Sequence, residues 1–206
     1  MLLAIDTSAG TSVAIVDRDA GVLAEFGSDD TRRHAEVIGD LISACLDRAG
    51  IPVAALSGVV AGMGPGPFTG LRVGIAAARA FAFGAGKPVI PVISHDAIAF
   101  GEPGAVLVAT DARRHEVAWS AYSGSDAAGI PQREAGPALA KATELALGVP
   151  GFATYRLIEA RTVSAAALGL LAEAMFTAGR PFASSEPLYL RSPDVTLAAA
   201  PKRVTG

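Results

Sequence analysis

The chain has 206 residues, and a composition that is 51% hydrophobic and 18% charged excludes an intrinsically disordered protein. Its 17 basic and 20 acidic side chains give a net charge of −3, so the chain alone has no general attraction for a nucleic-acid backbone. Cys45 is the only cysteine, which excludes an internal disulfide and a zinc site built from several cysteines. The lone thiol and the early Asp6, which interrupts any export signal, predict a cytoplasmic protein.

Short apolar runs separated by turn residues predict strands that alternate with helices. The first three runs fit an antiparallel meander, because tight turns join them. Strands alternating with helices indicate an α/β protein. The predicted strands cover residues 2–5, 11–16, 22–26, 56–61, 89–93, 105–110, 117–122 and 152–158. The predicted helices cover residues 33–49, 70–83 and 163–178, with a short one from Ser94, whose hydroxyl can cap it.

The uncharged stretch between Arg48 and Arg72 is long enough to suggest a membrane span. It contains Pro52, Pro65 and Pro67 together with Gly62, Gly64 and Gly66, and a helix cannot run through such a cluster. Lipid would also leave the backbone groups of this loop unpaired. The sequence therefore predicts a buried strand followed by a loop, and no interaction with a membrane.

The two halves of the chain open in a similar way. One strand ends at Asp6 and another at Asp111, and each is followed by a turn and a return strand. This repeat predicts two lobes, residues 1–102 and residues 103–206, the second with an irregular tail; chance similarity of apolar strands is the alternative. If the lobes face each other, the two aspartates could hold magnesium. Alternatively, each aspartate caps its own turn.

A glycine- and proline-rich loop runs from Gly62 to Gly70, between a strand and a helix. The free N–H groups at the start of that helix could hold a phosphate. The spacing argues against the known phosphate loops, because Thr69 replaces a glycine of the dinucleotide fingerprint, and Leu71 and Arg72 replace the P-loop lysine and hydroxyl. Both a phosphate cradle and a rigid packing turn stay open, and the sequence favours the turn.

Two helices carry more apolar surface than a single domain normally buries. The apolar residues of the first spread over an arc of about 200°, where a stripe of roughly 100° or somewhat more is usual. The second is apolar almost all round, and only Arg72 and Arg79 interrupt it, seven residues apart on one face. Either a partner chain covers these helices, or both lie between the sheet and other helices of the same domain.

Few residues have the spacing that catalysis requires. None of His34, His95 and His115 has a second histidine four residues later, so no helical metal pair exists. A nucleophile elbow is missing, and Cys45 lies among apolar residues as a small packed hydrophobe. A metallopeptidase would lack its ligands, and we expect neither a catalytic residue nor a metal site.

Several motifs together resemble the bacterial TsaB (YeaZ) family, and the resemblance runs over nearly the whole chain. One departure is Pro67, where the family usually carries serine, so a hydroxyl that could bind an anion is missing. The resemblance implies an α/β fold of two lobes of the actin/Hsp70 type, also called sugar-kinase-like or ribonuclease H-like, with mixed sheets. The motifs are residues 5–8, 34–36, 64–74, 111–113 with 116–117, and 186–191.

The resemblance also implies a function, that of a non-catalytic scaffold or activator subunit in the synthesis of tRNA threonylcarbamoyladenosine (t6A). The implied partners are the transferase TsaD, the ATPase TsaE and, when the chain is alone, a second copy; tRNA is reached only through the complex. TsaD binds metal through a helical histidine pair, which this chain lacks. No cofactor is expected on this chain, with ATP and magnesium possible only at the level of the complex. The residues of a vestigial nucleotide cleft would be Asp6, Thr7, Ser8 and Asp111.

The family uses its first two long helices to pair with TsaD or with itself, which agrees with their surplus of apolar surface. We therefore expect Leu41→Glu and Ile75→Glu to abolish TsaD binding while the monomer stays folded. The alternative function is a free-standing small-molecule kinase of the same fold, with Asp6 and Asp111 around Mg-ATP. The residues predicted at or beneath the partner interface are Val37, Ile38, Leu41, Ile42, Cys45, Arg72, Ile75, Ala78 and Arg79.

Overall fold

Nine strands form two mixed sheets in the computed structural model, which describes residues 1–191. The first sheet, in the order β3-β2-β1-β4-β5, contains β1 (Leu2–Asp6), β2 (Thr11–Asp17), β3 (Gly21–Ser28), β4 (Gly58–Gly62) and β5 (Val89–Val92). The second, in the order β8-β7-β6-β9, contains β6 (Val106–Asp111), β7 (Glu116–Ser125), β8 (Pro131–Lys141) and β9 (Arg156–Ala160). The helices are α1 (His34–Ala49), α2 (Phe68–Ala85), α3 (Ser94–Ala99), α4 (Leu145–Gly148) and α5 (Ala165–Thr177).

The two sheets share one strand plan. In the first, β1 pairs antiparallel with β2 and parallel with β4. In the second, β6 pairs antiparallel with β7 and parallel with β9. Both hairpins gain a third antiparallel strand, β3 or β8, and the first sheet alone adds β5. The duplication predicted from the two strand–Asp–turn–strand openings is therefore confirmed.

Helices cover both faces of the first sheet, because its central strand β1 is apolar up to Asp6 and buried at all five positions. Leu3 and Ile5 pack in the core beneath α1 and α2, whereas Leu2 and Ala4 pack in the core that contains the buried residues of α5. The predicted lobe boundary at residue 102 therefore separates the two sheets but places α5 in the wrong lobe. The second face of β1 needs an apolar cover, and α5 supplies it.

The second sheet has a thinner cover. One face packs Leu107 and Trp119 against Leu145 and Val149, in and just after the four-residue helix α4. The other face places Tyr122 against Ala99 of the short helix α3. Neither β8 nor α4 is predicted by the sequence, and the strand predicted over 152–158 begins only at residue 156.

The short helix α3 begins where the sequence predicts it, but its cap is different. Residue Ile93 stands at the N-cap, and no side chain caps the helix. The hydroxyl of Ser94 donates to Oδ2 of Asp6 at 2.5 Å and accepts the N–H of Gly64 at 3.0 Å. Ser94 therefore ties β1 to the glycine-rich loop rather than capping its own helix. Within residues 1–191, no helix is both long and apolar enough to cross a bilayer.

The glycine-rich loop, the cleft and the partner surface

The Asp6 carboxylate organises the end of β1 from inside the protein, with only 1% of the residue exposed. Oδ1 accepts the backbone N–H of Ser8 at 2.7 Å and its hydroxyl at 2.6 Å, and Oδ2 accepts the Ser94 hydroxyl. Burial raises the pKa of the Asp6 carboxyl, and the hydrogen bonds from Ser8 and Ser94 oppose that rise. All these donors come from the chain itself, so Asp6 serves the fold and does not reach the surface.

Thr7 fastens the turn after β1 to the start of α2. Its hydroxyl donates to the carbonyl oxygen of Gly70 at 2.7 Å and accepts the N–H of Gly74 at 2.9 Å. Thr7 and Ser8 are both buried. The three residues predicted for a nucleotide cleft at the end of β1 therefore serve as internal fasteners.

The glycines of the loop and of the first turns of α2 allow two backbone segments to approach closely. A side chain at any of four positions would come within 3 Å of the β1 end or of the first residue of α1. The loop therefore packs tightly between β4 and α2, as the sequence favours, and a phosphate held at the start of α2 stays a prediction. The Cβ distances would be 1.8 Å from Gly62 to Asp6 Oδ2, 2.6 Å from Gly66 to the Ser8 carbonyl oxygen, 2.9 Å from Gly70 to His34 Nε2, and 2.3 Å from Gly74 to Thr7 Oγ1.

Asp111 is exposed and caps its own turn, which was one of its two predicted roles. Its Oδ1 accepts the N–H of Arg113 at 2.9 Å. This β6–β7 turn holds three successive left-handed residues, Arg113, Arg114 and His115, with φ of 68°, 56° and 60°. The Arg113 guanidinium then donates to the hydroxyl of Thr31 at 2.6 Å, so the turn touches the first lobe.

A cavity of about 400 Å³ lies between the lobes, and it does not match the predicted nucleotide cleft. It is lined by residues 65–69 of the glycine-rich loop, residues 112–114 of the β6–β7 turn, Ala118, Leu139 and residues 189–191. None of Asp6, Thr7, Ser8 and Asp111 lines it. These residues do not fit a magnesium–nucleotide site, because the Asp6 carboxylate is buried and bonded within the chain. Among residues 1–191, no three His, Cys, Asp or Glu side chains are grouped to hold a metal ion.

Five of the nine residues predicted for the partner interface lie in the core between the first sheet and its two outer helices. The prediction placed these residues at or beneath the interface; the structure buries them under the helix surface, because the sheet already covers them. Cys45 illustrates this: its thiol donates to the Val13 carbonyl oxygen at 3.1 Å, and burial raises its pKa to about 11. The five residues are Ile38, Ile42, Cys45, Ile75 and Ala78.

The surface of the two helices carries a different apolar set, which we call the α1–α2 face. Its α1 members are half-buried, and its α2 members range from half-buried to exposed. Phe83 is 91% exposed, so the alternative that α2 lies wholly between the sheet and other helices of the same domain is wrong. The members are Val37, Leu41 and Ala44 of α1, and Val73, Ala76, Ala77, Ala80 and Phe83 of α2. Sequence reasoning identified Val37 and Leu41 only; an apolar period of 3.6 residues on the α2 side opposite Leu71 would have identified the others.

Arg72 and Arg79 are exposed on α2 and are engaged by their own chain. Arg72 Nε donates to the Tyr189 hydroxyl at 2.7 Å, and its guanidinium lies 3.7 Å from the centre of the Phe68 ring. Arg79 donates to the carbonyl oxygen of Ser185. Their predicted pairing with acidic groups of a partner stays a prediction.

Comparison with known proteins identifies the family. A family model described as TsaD, tRNA N6-adenosine threonylcarbamoyltransferase, matches residues 13–184. An uncharacterized protein of Mycobacterium tuberculosis is 40% identical over 201 residues, which cover 94% of this chain and 92% of that protein. The tRNA threonylcarbamoyladenosine biosynthesis protein TsaB of Escherichia coli is 36% identical over 126 residues, which cover 59% of this chain and 54% of that protein. The solved structure of YeaZ from Pseudomonas aeruginosa gives a TM-score of 0.75 at 25% identity, covering 92% of this chain and 99% of that one.

Proposed function

Because the chain belongs to the TsaD family, in its TsaB (YeaZ) group, we propose that it acts in t6A biosynthesis as a non-catalytic subunit. Its task is to bind the threonylcarbamoyltransferase TsaD and, with it, the ATPase TsaE. The chain itself needs no cofactor for this task and meets tRNA only through the complex, in the cytoplasm. The net charge of −3 agrees with an indirect contact to tRNA.

One observation carries this proposal: apolar side chains stay on the surface above a core that is already complete. The core beneath α1 and α2 contains fully buried Leu71, Cys45 and Ala78. Leu41 and Phe83 nevertheless remain outside it, half-buried and exposed. An apolar patch of this kind on a folded domain marks a protein–protein contact.

A partner with the same fold suits this surface. The family model that matches the chain is that of a transferase, so the proposed partner would present its own helix-covered sheet. The small residues Ala76 and Ala80 let a facing helix approach closely. A second copy of the chain could occupy the same surface when the transferase is absent, and the transferase would then displace it.

The test compares two leucines that receive the same charge. Leu41→Glu places a carboxylate on the α1–α2 face, and we expect affinity for the transferase of the same cell to fall about 100-fold, as for a buried unpaired charge. Leu147→Glu is the matched control, since Leu147 is 88% exposed on α4 of the other lobe. Calorimetric titration measures affinity, and circular dichroism confirms that both variants are folded.

Ile75→Glu is unsuitable for this test, contrary to the expectation from the sequence. Ile75 is only 3% exposed, and a carboxylate at this position would unfold the monomer rather than test the interface. Equal affinities of the wild type and Leu41→Glu would refute the surface assignment.

A second measurement tests the non-catalytic role. Formation of t6A is followed with the transferase, its activated substrate and tRNA, with and without this chain. We expect turnover to need the transferase and to be raised by the chain, and Leu41→Glu to lose that effect. Threonylcarbamoyl transfer by this chain alone would show that it is itself a catalyst.

A further inference from the structure

Residues 182–191 form a strap that contacts Phe68, Arg72 and Arg79 of α2 and reaches the cavity between the lobes. Two backbone hydrogen bonds tie the strap to the first sheet, from Ala183 N–H to the Pro91 carbonyl oxygen at 3.1 Å and from Leu188 N–H to that of Met63 at 2.8 Å. The strap has no helix or strand of its own. Side chains add to these two bonds, because Tyr189 packs on the Phe68 ring and Arg191 pairs with Glu116 of β7. A segment held by two backbone bonds and side-chain contacts opens at a lower free-energy cost than a strand or a helix.

The strap also occupies both arginines of α2. Arg72 donates to the Tyr189 hydroxyl and Arg79 to the Ser185 carbonyl oxygen, and both acceptors are uncharged. Neither arginine forms an ion pair with any of residues 1–191. Seven residues of helix place the two guanidinium groups about 10 Å apart along the axis. Beside the apolar α1–α2 face there are thus two uncompensated positive charges.

We propose that the strap is a displaceable cover, and that the partner's carboxylates take over Arg72 and Arg79 when it docks on the α1–α2 face. This inference rests on the proposed function and adds the chemistry of the partner: two acidic side chains about 10 Å apart, flanking an apolar strip. A hydrogen bond between a guanidinium and a carboxylate is roughly twice as strong as one to a neutral acceptor. The exchange of acceptors therefore favours docking over the closed strap.

The closed strap must lower the apparent affinity for the partner. If the partner binds only molecules whose strap is open, the apparent dissociation constant is the intrinsic one divided by the open fraction. Loosening the strap raises that fraction and tightens binding, although no contact with the partner is added. This distinguishes a cover from a strap that is itself part of the interface, whose loosening would weaken binding.

Hydrogen exchange of the full chain, alone and with the transferase, gives the first test. We expect partner binding to speed exchange in the peptide that contains the Ala183 and Leu188 amides, and to slow exchange in α1 and α2. Slower or unchanged exchange in residues 183–188 on binding would overturn the proposal. Failure of the transferase to bind at all would refute the proposed function as well.

Point variants give the second test, again by titration with the transferase. Tyr189→Ala removes the ring on Phe68 and the acceptor of Arg72, and we expect binding to tighten roughly threefold to tenfold. Tyr155→Ala is the matched control, because its hydroxyl contacts Glu134 on the other lobe, and we expect no change. Weaker binding by Tyr189→Ala would overturn the proposal.

Substitution of the two arginines gives the third test, again by titration with the transferase. Arg72→Ala with Arg79→Ala should weaken binding about tenfold or more, and the loss should shrink as salt is raised. Arg48→Ala, an exposed arginine in the last turn of α1, is the control. If the double variant bound the transferase as tightly as the wild type, the partner would not use these charges. The proposal would then be wrong even where Leu41→Glu still abolished binding.

Discussion

The two lobes follow one strand plan but differ in what covers their sheets. In the first lobe, β1 is buried at all five positions between long helices on both faces. β4, the parallel partner of β1, is also buried at all five positions, whereas its equivalent β9 in the second lobe is half-exposed or exposed at all five. The outer cover there is the four-residue helix α4 and neighbouring turns. The two long helices with surplus apolar surface, α1 and α2, therefore both cover the first sheet.

The two aspartates that mark the duplication show the same divergence. Asp6 is buried and accepts three hydrogen bonds from Ser8 and Ser94. Asp111 is exposed and accepts the N–H of Arg113, two residues later. In the first lobe the carboxylate at the strand end is an internal hydrogen-bond acceptor that holds the fold together. In the second lobe it caps its own turn. Equal positions in a repeat thus need not share a role.

The largest difference in stability between equivalent positions of the two lobes is expected when each aspartate is replaced by alanine. We expect Asp6→Ala to lower the free energy of unfolding by about 3–5 kcal/mol, because three donors lose a buried acceptor. Asp111→Ala should change it by less than about 0.5 kcal/mol, as usual for an exposed side chain. Urea denaturation of both variants measures the difference. Similar losses of unfolding free energy in the two variants would show that Asp6 and Asp111 have the same role.

Two glycines of the same helix probe how tightly the first lobe is packed. Gly74→Ala places a methyl group against Thr7 Oγ1, and we expect a loss of about 2–3 kcal/mol. At Gly84 a Cβ would meet nothing within 4 Å, so Gly84→Ala should stabilise the helix by roughly 0.5–1 kcal/mol. Thermal and urea denaturation report both. A neutral Gly74→Ala would mean that the junction between Thr7 and α2 yields easily.

The sequence predicts the strands of the first lobe well, because continuous apolar runs such as Gly58–Gly62 have few alternatives. It misses β8, since Pro131, Gly136 and Pro137 disfavour a strand and only an edge position tolerates them. It also cannot tell which sheet α5 covers, because the apolar residues of a helix can pack against either sheet. Such choices depend on contacts between segments far apart in the chain.

The site residues show the same limit. Asp6 and Asp111 look alike in sequence, and the bond that Asp6 accepts from Ser94, 88 residues away, cannot be read from the motif around it. A helical wheel likewise shows that α2 is apolar but not which side the sheet covers, so a glutamate at Ile75 was expected to leave the monomer folded, and Phe83 was left out of the predicted interface. Periodicity predicts that a partner surface exists, and tertiary packing decides its members.

At the junction between the lobes, the buried His95 should make the stability of the protein depend on pH. His95 of α3 contacts the hydroxyls of Ser120 at 2.8 Å and Thr110 at 2.9 Å. Burial, and next the charge of Arg133, lower its pKa to about 3 from an ordinary 6.5. The unfolded chain binds this proton below about pH 6.5 and the folded chain does not, so stability is present above 6.5 and falls as the pH drops.

The expected loss from His95 is about 2 kcal/mol between pH 7 and pH 5. It is measured as the difference in unfolding free energy between the wild type and His95→Gln, which cannot take up the proton. Carboxylates common to both proteins cancel in that difference. A difference that does not change with pH would show that His95 titrates normally.

The smallest effect is expected where the lobes look most alike, at two large apolar side chains with nearly equal exposure. Phe83 on α2 is 91% exposed and Leu147 on α4 is 88% exposed, so serine at either position should change stability by less than about 0.5 kcal/mol. Binding should separate them: Phe83→Ser should weaken affinity for the transferase about tenfold, whereas Leu147→Ser should leave it within about twofold. Because stability is matched, any difference in titration reports the partner surface alone. A greater loss at Leu147 would move that surface to the second lobe.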